Sequence, residues 1–478
     1  MAEKIHDTAM DDPGSSEGKQ GTAGEAEADN ALFQDVMSQF PALNGHTQLV
    51  LGFQLAPGTS REGVADAIQE AVSKLASKIP WIDGQVVEEN GIRRPAAWPA
   101  DGPRNRMVRT KDCDNLVPPM AELLQKGIPV TNLDAKVVSP FPGLSEGYKI
   151  VPPVPIIALQ ANFIRGGLLL TMCFHHIVMD GTAVIQFIRL LALVMDGGQI
   201  PISDVEQANR DRSLVVPLLA RGEPVKDYNE LRRPPGFVYP TVESTPTWCY
   251  FKLPVAAMKA LMKLASSQSP GFLLSENDVL CAFCWQRISA ARLLRGSTSA
   301  STSSIHKHTP ETISKFSRAI DGRLAVGIPL NYMGHMVYHA AVRLPLKRLV
   351  SSSLATIAQA LRQELNAVNN EWTVRSYATF IAREPDKSKL LYGGRTNPNT
   401  DLGATSTLAG DGDWPHVFGP LLGRCCFLRR PYMSPITGSI SISPVEKDFI
   451  PIGLCLPQAD LEALKSDSEW KKYTRVIG

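Results

Sequence analysis

Residues 168–195 constrain the fold of this chain more than any other stretch. They open with Leu168-Leu169-Leu170-Thr171-Met172-Cys173-Phe174, directly after Gly166-Gly167. An apolar run of that length behind a glycine turn reads as a buried strand. From Thr182 onward Val184, Phe187, Ile188, Leu191, Val194 and Met195 recur at helical spacing. Only Gln186 and Arg189 interrupt that surface, so the helix is expected to be largely buried. Asp196-Gly197-Gly198 supplies its stop. Between strand and helix lies His175-His176-Ile177-Val178-Met179-Asp180-Gly181. An imidazole is costly at such a junction unless something partners it. It is also the side chain whose ordinary pKa suits a proton acceptor near neutral pH.

Composition narrows the partners. At 478 residues the chain exceeds what one core usually serves, so two domains are expected. The net charge is +2, with Lys and Arg spread along the chain, which gives no footprint for a nucleic acid. No apolar run is long enough to span a membrane, and the acidic, polar start lacks a secretory pattern, so a cytoplasmic protein with no membrane partner is expected. The 8 cysteines are scattered, which argues against a disulfide framework and for a reducing compartment. Cys281 and Cys284 form a C-x-x-C inside a helical pattern with no second pair, so they read as buried core thiols rather than a zinc or redox site.

Residues 1–30 have too few large apolar side chains to fold and read as a disordered tail. Residues 47–55 alternate, with Leu49, Leu51, Phe53 and Leu55 on one face, as a strand does. Pro57-Gly58 turns the chain, and Thr59 with Glu62 reads as a capping box for a helix carrying Val64, Ile68, Ala71, Val72 and Leu75. Residues 200–246 change character, and Arg232-Arg233-Pro234-Pro235-Gly236 with Pro240 make an extended, helix-free stretch; the Arg pair reads as solvated surface. A strand follows at 247–253 and a short helix at 255–265. Ser275, with Asp278 three residues on, caps a longer helix. Residues 296–312 are Ser/Thr-rich and read as a surface loop. Ser353 caps a helix with face Leu354, Ile357, Ala358, Leu361, Leu365 and Val368. Residues 438–443 and 450–456 read as a hairpin, and 458–465 as a closing helix.

The His-His-x-x-x-Asp-Gly sequence behind its strand resembles the signature of the coenzyme A-dependent BAHD acyltransferases, specifically the fungal branch that includes trichothecene 3-O-acetyltransferase. Condensation domains of peptide synthetases share the heptad. Several further segments are similar to the family in the same order. They are Pro80-Trp81-x-x-Gly84-Gln85-Val86, the segment from Ser275 to Trp285, Asp321-Gly322-Arg323, and Tyr332-Met333-Gly334-His335, where the family usually has Asn in place of His335. Val417-Phe418-Gly419-Pro420-Leu421-Leu422-Gly423 matches a C-terminal motif whose Asp is missing here. The resemblance implies an α/β fold of two chloramphenicol acetyltransferase-like domains with mixed sheets and a tunnel between them. With the crossover placed at 216–246, the domains span 31–215 and 247–478.

The resemblance also implies roles. His176 would be the general base in direct transfer from acyl-CoA, most simply acetyl-CoA, to a hydroxyl of a secondary metabolite. Asp180 and Gly181 would hold the loop, the former favoured at a helix start and the latter permitting a close turn; His175 would be structural. Thr405 and Ser406 match a pair that lies across the tunnel as an oxyanion or acceptor contact, although Thr407 stands where many relatives have Trp. Arg429 and Arg430 are either phosphate-attracting groups or surface charge. A metal held by His175, His176 and Asp180 is disfavoured, since adjacent histidines converge poorly on one ion. The implied partners are acyl-CoA and a small-molecule acceptor, with no permanently bound cofactor and a monomeric enzyme. A condensation-type enzyme using a carrier-bound thioester and a non-catalytic binding protein are the alternatives.

Overall fold

The computed structural model describes residues 35–100, 107–144, 146, 150–242, 244–298, 308–407 and 417–478. The tail expected at 1–30 and residues 299–307 of the Ser/Thr-rich segment lie outside the described residues.

The chain starts its first sheet with β1 (His46–Gln54), buried along all but its last residue. Helix α1 (Arg61–Lys78) follows and buries Val64, Ile68, Ala71, Val72 and Leu75. Its cap differs from expectation. Thr59 is used up in the Pro57-Gly58 turn, its N–H and hydroxyl both donating to the Ala56 carbonyl. The helix therefore begins one residue later, with Ser60 Oγ accepting from the Gly63 N–H at 3.1 Å. Strands β2 (Gln85–Glu89), β3 (Ile92–Ala96) and the short β5 (Val154–Pro155) form a small side sheet.

The first large sheet adds β4 (Val108–Asp112), β6 (Ile157–Ile164) and β7 (Gly167–His175). Its order is β12-β1-β7-β6-β4, where β12 (Phe427–Arg429) returns from far along the chain. β1 and β7 pair antiparallel over their whole length, from Gln54 opposite Gly167 to His46 opposite His175. That register brings the end of the motif strand to the start of β1. One face of the sheet packs on α1 and the motif helix α2 (Gly181–Met195), with Phe53, Leu170, Phe174 and Phe187 among the fully covered residues. The other face is filled by Val50, Leu169 and Phe427 against Met120, Leu123 and Leu133. Both faces of β7 are thus covered, which accounts for its apolar run; the second face also buries Gln48, Gln160, Asn162 and Thr171, with Gln160 donating to Asn162 at 2.7 Å and Asn162 to Thr171 at 3.2 Å.

The second sheet takes β8 (Pro246–Pro254), β9 (Ile313–Asp321), β10 (Val337–Pro345), β11 (Leu402–Ser406), β13 (Ser439–Ile442), β14 (Phe449–Pro457) and β15 (Arg475–Val476) in the order β10-β9-β11-β13-β14-β8-β15. Parallel and antiparallel pairs are mixed. The hairpin read at 438–456 is β13–β14. Helices α3 (Val255–Gln268), α4 (Glu276–Thr298), α5 (Leu354–Val368) and the closing α7 (Gln458–Ser466) cover one face through Phe251, Phe316, Leu402, Ile440, Ile452 and Leu454. Ser275 and Ser353 cap α4 and α5 as expected. Gly296, Ser297 and Thr298 continue α4 rather than opening the loop.

Alternation sends the intervening residues to the opposite face. These are His339 and Ala341 of β10, Ser317 and Ala319 of β9, Gly403 and Thr405 of β11, and Ser441 of β13. Along these four strands the second face is small and largely polar, whereas along β14 and β8 it carries Trp248, Tyr250 and Cys455, packed on Val130, Met433 and Ile477. Between the halves, residues 216–242 hold no α-helix and one 3-10 turn, Asn229–Leu231, and are held by α6 (Glu371–Arg383), a helix the sequence reading passed over. Its Thr379 hydroxyl accepts from the Leu219 N–H at 2.8 Å, and its Ser376 hydroxyl from the Lys226 N–H at 2.7 Å. Arg232 reaches Glu384 at 2.5 Å and covers the Phe380 ring, while nearly half its side chain stays in solvent.

Candidate active site

β7 ends where the His176 N–H leaves the β1–β7 ladder and donates to the Gly45 carbonyl at 2.9 Å. The chain then turns, and the Met179 carbonyl folds back to lie 3.0 Å from His176 Nδ1. A carbonyl only accepts, so Nδ1 carries the proton and Nε2 carries the lone pair. His176 is deep in the molecule yet partly exposed, whereas His175 beside it has no accessible surface at all. Burial lowers the His176 pKa below its ordinary value, the Arg430 charge adds to this, and Asp180 opposes it. The ring is neutral at pH 7.

His175 points the other way. Its ring sits edge-on to His46 at 5.1 Å, and neither of its nitrogens has a hydrogen-bond partner among the described residues. Burial first, then its histidine and arginine neighbours, push its pKa well below the usual range. Its surroundings in the described residues are packing contacts.

Asp180 is fully engaged by the fold. One oxygen caps α2 by accepting from the Ala183 N–H at 2.9 Å. Both oxygens take Arg323 in a two-point pair at 2.8 and 2.9 Å, and the Met336 N–H adds a bond at 2.8 Å. Arg323 also donates to the Tyr332 and Gly334 carbonyls. Burial alone raises the Asp180 carboxyl; the Arg323 guanidinium outweighs it and holds the pKa at about 2. The sequence suggested a loop-shaping role but gave no partner. The partner lies 143 residues downstream, in the Asp-x-Arg segment, and ties the motif loop to the second domain. Behind the loop Arg212 pairs with Asp35 at 2.5 Å and donates to the Val178 carbonyl at 3.0 Å.

Gly181 is a correction. Its φ is outside the left-handed region, and a Cβ there would meet nothing within 4 Å. The turn is closed by Asp180 and the Met179 carbonyl, so glycine is not sterically required. Thr405 is exposed on the small-residue face of the second sheet, while Ser406, next along β11, alternates to the other side. Thr407 donates through both N–H and hydroxyl to the Ile442 carbonyl and simply extends the β11–β13 ladder. Arg429 is fully buried against Glu446, so it is neither surface charge nor free for a phosphate. Arg430, partly exposed, has no carboxylate partner among the described residues; its N–H donates to Tyr250 Oη at 3.3 Å. In the C-terminal motif Phe418 packs edge-on to Phe53 at 5.0 Å, and Gly419, with φ +67°, lies against the Met195 carbonyl, where a Cβ would come within 2.2 Å. That segment locks the end of α2. Cys281 and Cys284 are free and buried, with burial raising both thiol pKa values. Among the described residues no group of three or more His, Cys, Asp or Glu side chains is placed to hold a metal, and no helix is long and apolar enough to cross a membrane.

Groups that sequence reasoning missed complete the surroundings. His176 meets His335 at 5.4 Å and Tyr392 at 6.5 Å between ring centres. His335 was noted only as a departure from Asn, and nothing local marks Tyr392.

Comparison with known proteins gives consistent matches. The model of the Trichothecene 3-O-acetyltransferase-like N-terminal domain matches residues 46–194, and that of the Transferase family matches residues 138–401, more than half the chain. The chain is 38% identical to O-acetyltransferase SAT5 of Stachybotrys chartarum, over 94% of this chain and 96% of that protein. It is 37% identical to O-acyltransferase pigD of Monascus ruber, over 94% of this chain and 100% of that protein. The structure of Fusarium graminearum TRI101 complexed with coenzyme A and deoxynivalenol superposes with a TM-score of 0.82 at 25% identity, covering 93% of this chain and 99% of that one. Two mixed α/β domains with the histidine motif between them thus define an acyltransferase. More particularly, the chain belongs to the Transferase family of BAHD acyltransferases.

Proposed function

We propose that the protein transfers an acyl group, most simply acetyl, from acyl-CoA to a hydroxyl of a small secondary metabolite, with His176 as general base. The observation that carries this reading is the pinned tautomer: Met179 holds the Nδ1 proton and leaves the Nε2 lone pair on a neutral, partly exposed ring. The relatives' names add support, being O-acetyltransferases and an O-acyltransferase, as does the coenzyme A complex of TRI101.

In the step proposed, Nε2 takes the acceptor's hydroxyl proton while that oxygen attacks the thioester carbonyl carbon. The C–S bond then breaks, and the imidazolium returns the proton to the coenzyme A thiolate. Because the thioester is already activated, no serine or cysteine nucleophile is needed. Thr405, a free-standing hydroxyl on the second sheet's small-residue face, is the candidate donor to the developing oxyanion; Ser406 is the weaker candidate, since its alternation turns it away. Arg430 adds positive charge near His176. We place the reaction in a passage between the two domains of a monomeric, cytoplasmic enzyme.

The test is coenzyme A thiol release from acetyl-CoA with a panel of hydroxylated acceptors. His176→Ala should lose about 10²–10⁴-fold in kcat/KM, with an unchanged circular dichroism spectrum. Retained turnover removes His176 from the mechanism.

A further inference from the structure

The second sheet carries a histidine that the reaction step leaves unused. His339 stands opposite Ala319 in the β9–β10 register and shares the small-residue face with Ser317. Its ring meets Tyr392 edge-on at 4.4 Å. Tyr392 in turn lies 6.5 Å from His176 and 6.4 Å from His335. These rings form one continuous wall that begins at the proposed base.

Exposure divides the wall. His335 is sealed, with both ring nitrogens buried and without a partner among the described residues. His176, Tyr392 and His339 are partly exposed. His339 Nδ1 is buried without a partner, so any ligand contact falls to Nε2. Gly393, with φ +72°, passes beside that nitrogen, and a Cβ there would come to 3.6 Å. A glycine at this point keeps the approach to Nε2 open and suits the left-handed backbone.

The wall is also pre-set. Lys315 donates to the Gly393 carbonyl at 3.0 Å and to the Arg395 carbonyl at 2.5 Å. The Leu391 N–H is held by the Leu231 carbonyl at 2.7 Å. Tyr392 is therefore fixed from both sides. Burial, with Lys315 and His176 adding to it, lowers the His339 pKa to about 3, and burial raises that of Tyr392. Both are neutral groups that give and accept hydrogen bonds, set in an aromatic surface. A ligand that covers Nε2 without hydrogen-bonding it strips that nitrogen of water, so ligands with a pairing oxygen are favoured over those without one.

We propose that His339 and Tyr392 recognise the acceptor by hydrogen-bonding a second oxygen of it, away from the hydroxyl that faces His176, while the ring wall packs on its conjugated frame. The acceptor class is a flat, conjugated molecule bearing at least two oxygens. This rests on the acyl-transfer reading only in placing the reacting hydroxyl at His176.

Titration calorimetry without any acyl donor tests it independently of turnover. The probes share one skeleton: 2,7-dihydroxynaphthalene, 2-naphthol and decahydro-2-naphthol. Wild-type protein should bind the diol about tenfold more tightly than 2-naphthol, and 2-naphthol more tightly than its saturated analogue. His339→Phe should abolish the first ratio while leaving 2-naphthol affinity within about twofold, and His339→Gln, which restores a polar tip, should recover part of it. Tyr392→Leu should abolish the second ratio. Equal binding of diol and 2-naphthol by wild type, a ratio that survives His339→Phe, or no binding of any probe overturns the proposal. None of these outcomes touches the loss of thiol release in His176→Ala, so the two readings fail separately.

Discussion

The two large sheets are built from the same element types but are used oppositely. The first is filled on both faces, by α1 and α2 on one side and by the segment around Met120 and Leu133 on the other. The second is filled on one face throughout, but on its other face only along β14 and β8, where Trp248, Tyr250 and Cys455 pack on Val130, Met433 and Ile477; the rest of that face is Ser317, Ala319, Ala341, Gly403, Thr405 and Ser441. Two glycines make the contrast concrete. A Cβ on Gly52 of β1 would come within 2.1 Å of the Phe427 ring, whereas one on Gly403 of β11 would meet nothing within 4 Å. The first sheet is close-packed up to the end of β7, whereas the second keeps part of one face free of large side chains.

Acid should act most strongly, and on the junction between the sheets. Burial lowers the pKa of His46 to about 4 and of His335 and His339 to about 3, and that of His175 well below its ordinary value. In the unfolded chain these groups protonate near pH 6.5. Below that pH the unfolded chain binds more protons than the folded one, so stability falls as pH drops toward 4, by up to about 1.4 kcal/mol per pH unit for each histidine. Melting temperatures measured between pH 7.5 and 5 should fall steeply. A flat profile would mean that these rings are not buried neutral. The depressed His176 pKa moves in the same direction, so the acid limb of kcat/KM should lie below pH 6.5.

Next in size is the staple between domains. Asp180→Ala removes the two-point carboxylate of the buried Arg323 guanidinium and leaves it only Asp321, on one nitrogen at 2.9 Å, which should cost about 3 kcal/mol in urea unfolding. A loss under about 1 kcal/mol would show the junction to be soft.

The glycine pair then separates the sheets directly. Gly52→Ala should destabilise by about 1–3 kcal/mol, because the buried Phe427 ring must move. Gly403→Leu should leave the melting temperature nearly unchanged yet cut kcat/KM by about tenfold, by filling space that a bound substrate needs. Gly403→Ala is the smallest change and should stabilise by about 0.4–1 kcal/mol, through loss of unfolded-state freedom. If Gly403→Ala is the costlier of the two alanine variants, the contrast between the sheets collapses.

Much of the frame was legible in the sequence. The apolar run of β7, the spacing of α2, the Ser275 and Ser353 caps and the β13–β14 hairpin are local patterns, and local patterns survive folding. The cap of α1 slipped by one residue because a turn competed for Thr59. Helix α6 was missed although its buried face is regular. In the site, His176 could be singled out because strand, turn and helix are contiguous. Arg323 could be quoted but not paired, and His339 and Tyr392 carried no signal at all, since each is an ordinary residue until the second sheet brings it beside the motif.

The sequence by itself determined which histidine ends a buried strand, and it did so through periodicity and length, which depend only on neighbours in the chain. The tertiary structure alone decided what that histidine faces: Asp180 held by Arg323, Arg429 neutralised while Arg430 is not, and a row of rings leading away from His176. Those contacts join residues far apart in the chain, so their energies come from burial and register between sheets, and no local pattern encodes them.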